Sequence, residues 1–118
     1  MKVYISGKIT GLSKNEYMDK FNAAELYLTK KGHSVINPAR TNGTLPEDTT
    51  YDQYMEMSLK MLSFCNAIFM LDNWMDSNGA KKEFQIASTN NYTVMFETIE
   101  RANDEAVSPL RQTSRTEQ

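Results

Sequence analysis

Short apolar runs alternate along the chain with longer segments of helical periodicity. The runs at residues 2–6, 33–36, 66–71 and 92–96 are bounded by turn residues and rich in β-branched and aromatic side chains, which favours strands. The run at 66–71 (NAIFML) is almost continuously apolar, as expected of a central strand that is covered on both faces. The pattern therefore predicts a buried sheet.

The segments between these runs have the features of amphipathic helices. The first begins at Ser13-Lys-Asn-Glu16, a capping-box pattern, and stops at Gly32, whereas the second follows Thr50-x-x-Gln53. Their apolar stripes consist of Tyr17, Phe21, Ala24 and Leu28 in the first, and of Tyr51, Tyr54, Met55, Leu59 and Leu62 in the second. A third helix is predicted over residues 80–90, and residues 38–50 are predicted to be a polar loop.

Strands that alternate with helices indicate parallel β-α-β units with right-handed crossovers. We predict an α/β three-layer sandwich, Rossmann-like or flavodoxin-like, with a parallel sheet of four to five strands flanked by helices. The domain is predicted to span residues 1–96, and the polar segment 97–118 to form a short helix and then a mobile tail. Ligands of such folds bind beyond the carboxyl ends of the strands.

Composition excludes several classes of function. The 118-residue chain has a net charge of −2 and no cluster of Lys and Arg, so polymeric nucleic acid is not an expected partner. No run approaches the length of a membrane span or of a signal-peptide core, and the single cysteine, Cys65, cannot form an internal disulfide. We expect a cytoplasmic protein with no membrane partner and no metal.

The stretch DSNGAKKE, at residues 76–83, opens the third helix and ends in a glutamate with two open interpretations. At about 100° per residue, Glu83 falls inside the apolar arc of the helix. It would complete a capping box only if the poor capping residue Ala80 were the N-cap. Glu83 is therefore either a partly enclosed nucleophile or general base, whose pKa desolvation would raise, or a glutamate at the stripe edge that extends to water.

Two loops could bring the backbone close to a ligand. Gly7 and Gly11 follow the first strand, but the glycine that a phosphate-binding P-loop requires is absent, because Lys2 occupies its position. Ser77 and the N–H groups at residues 78–80 are placed where a phosphate or carboxylate could dock. Their alternative role is to cap the helix.

These segments together resemble the nucleoside 2-deoxyribosyltransferase-like superfamily, and within it the small DUF4406 type. The resemblance covers roughly residues 2–96 and rests on three motifs: VYISGKITG near the start, NPA at 37–39, and MLSFCNAIFMLDNWMDSNGAKKEFQIA in the second half. The last is the most specific, since it joins an apolar strand, a loop with a tryptophan and the sequence S-x-G-A-x-x-E.

The resemblance implies a chemistry as well as a fold. In the superfamily the glutamate of the last motif attacks the anomeric carbon of a 2-deoxyribonucleoside or its 5′-monophosphate, and a covalent deoxyribosyl-enzyme passes the sugar to another base or to water. The resemblance therefore implies that Glu83 is the nucleophile and that Ser77, where nucleoside-specific branches tend to have Asp, favours a nucleotide. The other implied substrate-binding residues are Tyr4, Gly7, Ile9, Gly11, Asp72, Trp74 and Gly79.

Further implications concern assembly and the role of Trp74. The chemistry needs no cofactor, and a homodimer or larger homo-oligomer is expected because members of the superfamily commonly assemble in this way. Trp74 either stacks on a base or packs in the core. Tyr51, Tyr54 and the methionines at 55, 57 and 61 either form a subunit interface or belong to the core.

Ser58 departs from the pattern of the superfamily. Relatives commonly carry an inward Asp at this position, which handles the proton on the leaving base, and a serine supplies no carboxylate. Asp72 or Asp76 could take that role. The chain is thus expected to be a deoxyribosyltransferase or N-glycosidase, or else a nucleotide-binding sensor or sequestering protein with little activity. A third interpretation is an interaction protein in which residues 76–83 only start a helix.

Overall fold

The computed structural model describes residues 1–105, which contain four strands and their connecting helices. In chain order these are β1 (Lys2–Ser6), α1 (Lys14–Lys30), β2 (Ser34–Ile36), α2 (Pro38–Asn42), α3 (Tyr51–Ser63), β3 (Ala67–Met70), α4 (Asn78–Thr89) and β4 (Thr93–Phe96). A 3-10 turn at Trp74–Asp76 precedes α4, and residues 97–105 are helical. The tail predicted after that helix lies outside the described residues. Within residues 1–105, no helix is both long and apolar enough to cross a bilayer.

The four strands form one parallel sheet in the order β2-β1-β3-β4. The predicted α/β architecture is confirmed, with four strands in the described part of the chain. From β1 the chain moves outward to β2 and then returns past β1 to β3, so the direction of winding reverses between β1 and β3. In open parallel sheets the crevice at such a reversal, outside the carboxyl ends of the strands, is the usual ligand site.

Side chains of β1 alternate between the two layers of the core. Val3 and Ile5 pack with Phe21 and Leu28 of α1, whereas Tyr4 packs with the helices on the opposite face. Since residues two apart on a strand share a face, Ser6 lies on the same side as Tyr4. Both are 1% exposed. A phenol and a hydroxyl are thus buried beneath the helices that cover β1 and β3.

Helix starts follow the capping signals in the sequence, with one correction. Thr50 and Gln53 form the complete predicted capping box, whereas Ser13 accepts from the Glu16 N–H without a reciprocal bond from the glutamate side chain. The prediction that residues 38–50 are only a loop is wrong, because Pro38–Asn42 form α2. Asn37 accepts from the Ala39 N–H and Pro occupies the first helical position, which are both helix-start signals.

Gly7, directly after β1, is required by a close contact with the residue that follows β3. A Cβ atom at Gly7 would lie 2.5 Å from Cδ1 and 2.9 Å from Cβ of Leu71, which is fully buried. We expect Gly7→Ala to lower the free energy of unfolding by about 1–3 kcal/mol, the usual cost of overpacking. Urea denaturation measures this change. Gly43→Ala is the control, since a Cβ there meets only atoms at 3.3 Å or more, and an equal loss in both variants would contradict the assignment.

Candidate active site

Helix α4 carries Glu83 on its buried face. The N-cap is Ser77, whose hydroxyl accepts from the Ala80 N–H at 3.1 Å. Ala80 is therefore the third helical residue, which excludes a capping-box role for Glu83 one turn later. The buried residues of α4 are Ala80, Glu83 and Ala87, and Glu83 is 5% exposed. The predicted inward placement of Glu83 is confirmed, and the interpretation that it extends to water is wrong.

Two hydroxyl groups of β1 hold the carboxyl group of Glu83. The Tyr4 hydroxyl donates to Oε2 at 2.5 Å, and the Ser6 hydroxyl donates to Oε1 at 2.6 Å. Oxygen–oxygen distances of this length are typical of hydrogen bonds to an ionised acceptor. Each carboxyl oxygen has its own donor, so the orientation of the group is fixed from the strand beneath it.

Ser58 of α3 is a third buried hydroxyl near these groups. Its side chain is 5% exposed, and while burial raises the pKa of Tyr4, the neighbouring Ser58 hydroxyl acts in the opposite direction. Tyr4 itself donates its hydrogen bond to Glu83. The position that the resemblance assigns to an Asp thus carries a buried hydroxyl in the wall of the cavity that Tyr4 and Glu83 also line.

Burial dominates the ionisation of this network. Desolvation raises the pKa of Glu83 from 4.5 to about 7, although the hydrogen bonds from Ser6 and Tyr4 act in the opposite direction. Desolvation also raises the pKa of Tyr4, and the neighbouring Glu83 raises it further. Near neutral pH, Glu83 thus exists in comparable amounts as a carboxylate and as a neutral acid, while Tyr4 keeps its proton.

Glu83 lies in the wall of a cavity of about 660 Å³ at the carboxyl ends of β1 and β3. The volume suits a ligand of nucleotide size. The buried part of the lining consists of Tyr4, Ile5, Phe21, Pro38, Ser58, Ala80 and Glu83. More exposed residues form the rest, among them the aromatic residues Tyr17, Tyr51 and Tyr54 and the charged residues Lys8, Asp76 and Lys82. The cavity combines an apolar, aromatic interior with charged groups toward solvent.

The structure brings together six of the nine residues that the sequence nominated. Tyr4, Gly7, Ile9, Ser77, Gly79 and Glu83 all line the cavity. Gly79 lets α3 approach α4, because a Cβ there would lie 3.1 Å from Met55 Sδ and 3.4 Å from the Tyr51 hydroxyl oxygen.

The other three nominated residues are outside the lining. Gly11 is in a turn with a φ of +90°. Asp72 forms an exposed ion pair with Lys20 at 2.7 Å. Trp74 packs on Phe84 and Phe96, with ring centroids 4.9 and 5.9 Å away. Of the two interpretations of Trp74, the structure therefore shows packing.

Several residues of the site were not predicted from the sequence. Ser6 could have been found, because the alternation of a strand places it on the same face as Tyr4. Lys8 and Lys82 carry no sequence signal beyond their charge. Tyr54 and Met55 line the cavity, whereas the sequence offered only a core or an interface role for them.

Within residues 1–105, no group of three or more His, Cys, Asp or Glu side chains is arranged to hold a metal ion.

Comparison with known proteins agrees with this architecture. The sequence model of the DUF4406 family, described as a domain of unknown function, matches residues 1–96. Among solved structures, the chain is similar to a 2-deoxyribosyltransferase from the psychrotolerant bacterium Bacillus psychrosaccharolyticus, described as a biocatalyst for the synthesis of antiviral and antitumoral nucleosides. The TM-score is 0.64 at 20% identity, over 81% of this chain and 71% of the other. No curated protein matches the chain. The predicted fold and the predicted DUF4406 family are confirmed.

The raised pKa of Glu83 makes the stability of the protein depend on pH. Because the folded-state pKa of about 7 exceeds the ordinary value of 4.5, the native state holds this proton more tightly than the unfolded chain, and stability falls as pH rises between these values. Glu83→Gln removes the ionisation. We expect the variant to gain up to about 3 kcal/mol relative to the wild type between pH 4.5 and pH 8. Urea denaturation at a series of pH values measures this gain, and a difference that stays constant would contradict it.

Proposed function

Because the chain belongs to the DUF4406 family and shares the fold of a 2-deoxyribosyltransferase, we propose that it cleaves or exchanges the N-glycosidic bond of a 2′-deoxynucleoside or its 5′-monophosphate. The observation that carries this proposal is the buried carboxyl group of Glu83, held by Tyr4 and Ser6 in the wall of the cavity. An isolated carboxyl group is costly to bury, and perturbed, buried acids in clefts are concentrated at catalytic sites.

In the proposed reaction, Glu83 is the nucleophile. One of its oxygens attacks the anomeric carbon while the bond from that carbon to the base nitrogen breaks, and the base leaves with the electron pair and takes up a proton. The resulting glycosyl ester is then attacked by a second base or by water, which restores the free carboxyl group. The fixed orientation of the carboxyl group supports this role, since a positioned nucleophile needs little reorganisation.

The cavity offers complementary surfaces for the two ends of a nucleotide. Tyr17, Tyr51 and Tyr54 present aromatic groups against which a flat base can pack. Lys8 and Lys82 carry positive charge at the same cavity, and the amino end of α4 adds N–H groups that favour an anion. A phosphorylated deoxynucleoside fits this distribution of charge better than an uncharged nucleoside does.

A second candidate function is nucleotide binding with little turnover, as expected of a sensor or a sequestering protein. The observation that favours it is Ser58, a hydroxyl at the position where the resemblance implies an acid for the leaving base. General acid–base help is typically worth about 10²–10⁴-fold in rate. Stabilisation by a deoxynucleotide in a thermal-shift assay, with no base release, would support this candidate over the first.

The decisive variant for the proposed reaction is Glu83→Ala. We expect base release from deoxynucleoside monophosphates, followed by chromatography, to fall by roughly 10³-fold or more, because the nucleophile is lost. Intact-mass spectrometry of the wild type with substrate should show a protein species heavier by one deoxyribosyl or deoxyribosyl-phosphate group.

Glu56→Ala, a change of an exposed glutamate on α3, is the matched control and should retain activity. If Glu83→Ala released base as fast as the wild type, Glu83 would not be the nucleophile.

Ser77→Asp tests whether the amino end of α4 holds a phosphate. Asp is as good an N-cap as Ser, so the helix start should be preserved. The added negative charge should weaken the binding of a deoxynucleoside 5′-monophosphate by about tenfold or more, with a much smaller effect on the free deoxynucleoside. Isothermal titration of both ligands measures the ratio of their dissociation constants. An unchanged ratio would exclude Ser77 from phosphate recognition.

A further inference from the structure

The two hydroxyl groups that hold Glu83 differ in their relation to the cavity. Tyr4, the donor to Oε2, is part of the cavity lining, as is Glu83 itself. Ser6, the donor to Oε1, is 1% exposed and lies outside the lining that residues 1–105 form. The two hydrogen bonds therefore give the carboxyl group an inner oxygen, Oε1, and an outer oxygen, Oε2.

We propose that Ser6 is a positioning residue for glycosyl transfer, which holds Oε1 as the oxygen that never bonds to the sugar and leaves Oε2 to attack. The proposal rests on the proposed function, and it assigns to Ser6 a role that Tyr4 does not share. Each oxygen of a carboxylate has two lone pairs. Oε2 can therefore accept the hydrogen bond from Tyr4 and still present an electron pair to the cavity.

The two halves of the reaction use the two oxygens differently. In the first half, an electron pair of Oε2 bonds to the anomeric carbon, while the bond from that carbon to the base nitrogen breaks with its pair on the base, which takes up a proton from solvent. In the second half, water or another base attacks the carbon and loses a proton to solvent, and the bond to Oε2 breaks with its pair on the carboxylate. Ser6 stays bonded to Oε1 throughout and keeps its proton.

The strength of the Ser6 hydrogen bond changes during these steps, because the charge on Oε1 changes. In the ester, Oε1 is a neutral carbonyl oxygen, and hydrogen bonds to charged acceptors are roughly twice as strong as those to neutral ones. The bond therefore strengthens as the sugar departs and negative charge returns to the carboxyl group. An interaction that is stronger in the transition state than in the state before it accelerates that step. Ser6 is thus expected to speed the release of the sugar from Glu83.

Ser6 also keeps Glu83 available as a carboxylate. Burial raises the pKa of Glu83 to about 7, while the hydrogen bonds from Ser6 and Tyr4 act to lower it, and the effect of Ser6 is the larger of the two. Without Ser6, the carboxylate would keep one donor and its pKa should rise. Cys65 lies near Tyr4. The other titratable side chains that share the cavity with Glu83 are Lys8, Tyr17, Tyr51, Tyr54, Asp76 and Lys82.

The first measurement needs no substrate. Carbon-13 NMR of labelled glutamate carboxyls, with the Glu83 signal identified by its loss in Glu83→Gln, gives the titration midpoint of Glu83. Ser6→Ala should raise this midpoint by about 1–2 pH units, because a hydrogen bond to a charged acceptor is lost. Ser6→Cys should act in the same direction, since a thiol fills the space of the hydroxyl but is a weak donor. Ser63→Ala, a change of an exposed serine on α3, is the control and should leave the midpoint unchanged.

The second measurement separates the two halves of the reaction, at a pH one unit or more above both titration midpoints. Base release from a deoxynucleoside monophosphate in a single turnover reports the attack, and intact-mass spectrometry of the glycosyl-enzyme reports its decay. In Ser6→Ala the decay should slow by about tenfold or more, so that the glycosyl-enzyme accumulates. Base release should change much less, because the free carboxylate and the transition state of attack both lose the bond. Ser6→Thr keeps the hydroxyl and should restore the wild-type decay.

The outcomes distinguish the role of Ser6 from the proposed function. Wild-type protein that releases no base and forms no glycosyl-enzyme refutes both. Base release that depends on Glu83 leaves the proposed function standing, and Ser6 is then judged alone. Its role is overturned if Ser6→Ala leaves the Glu83 midpoint unchanged or accumulates no more glycosyl-enzyme than the wild type. Equal slowing of base release and of decay also overturns it, since a purely structural defect would have that effect.

Discussion

The site depends on the removal of one carboxyl group from water. An ionised carboxylate between a sheet and a helix is strongly unfavourable unless donors replace its hydration. Tyr4 and Ser6 supply one donor to each oxygen of Glu83, at 2.5 and 2.6 Å. The compensation is partial, since the pKa remains raised to about 7. The structure thus holds a carboxyl group that is fixed in orientation yet evenly divided between its two protonation states near neutral pH.

Strand order explains why distant parts of the sequence meet at this group. In the sheet, β3 lies beside β1, with Tyr4 opposite Ile68 and Ser6 opposite Met70. Helix α3 leads into β3 and α4 leads out of it, so both helices cover the face of β1 that carries Tyr4 and Ser6. The chain visits β2 on one side of β1 before it crosses to β3 on the other side, and this reversal of winding creates the crevice at the carboxyl ends of β1 and β3. Gly7 lines the cavity in that crevice, and its backbone lies so close to Leu71 that no Cβ atom fits between them.

The sequence predicted local features better than contacts between segments. Helical spacing placed Glu83 inside the apolar arc of α4, and the poor capping quality of Ala80 disfavoured a capping box, but a glutamate that extends to water stayed open until the burial of Glu83 was known. Trp74 illustrates the opposite case, because an aromatic residue in a loop after a strand could face either the cavity or the core. The rings of Phe84 and Phe96 decide this, and they approach Trp74 only once α4 and β4 are docked. The start of α2 was missed because Asn37-Pro38 is both a strand terminator and a helix N-terminus, and local sequence does not separate the two.

The serine at position 58, where the resemblance implies an acid, determines how many protons the interior of the site can hold. A second carboxyl group beside Tyr4 would bring two like charges together and push their titrations apart, as in acid pairs that share one proton. With a serine there, Glu83 is the one buried carboxyl group in the described lining of the cavity, and Asp76 is exposed. No second buried acid in that lining displaces the titration of Glu83, so burial sets its raised pKa, opposed only by the hydrogen bonds from Ser6 and Tyr4.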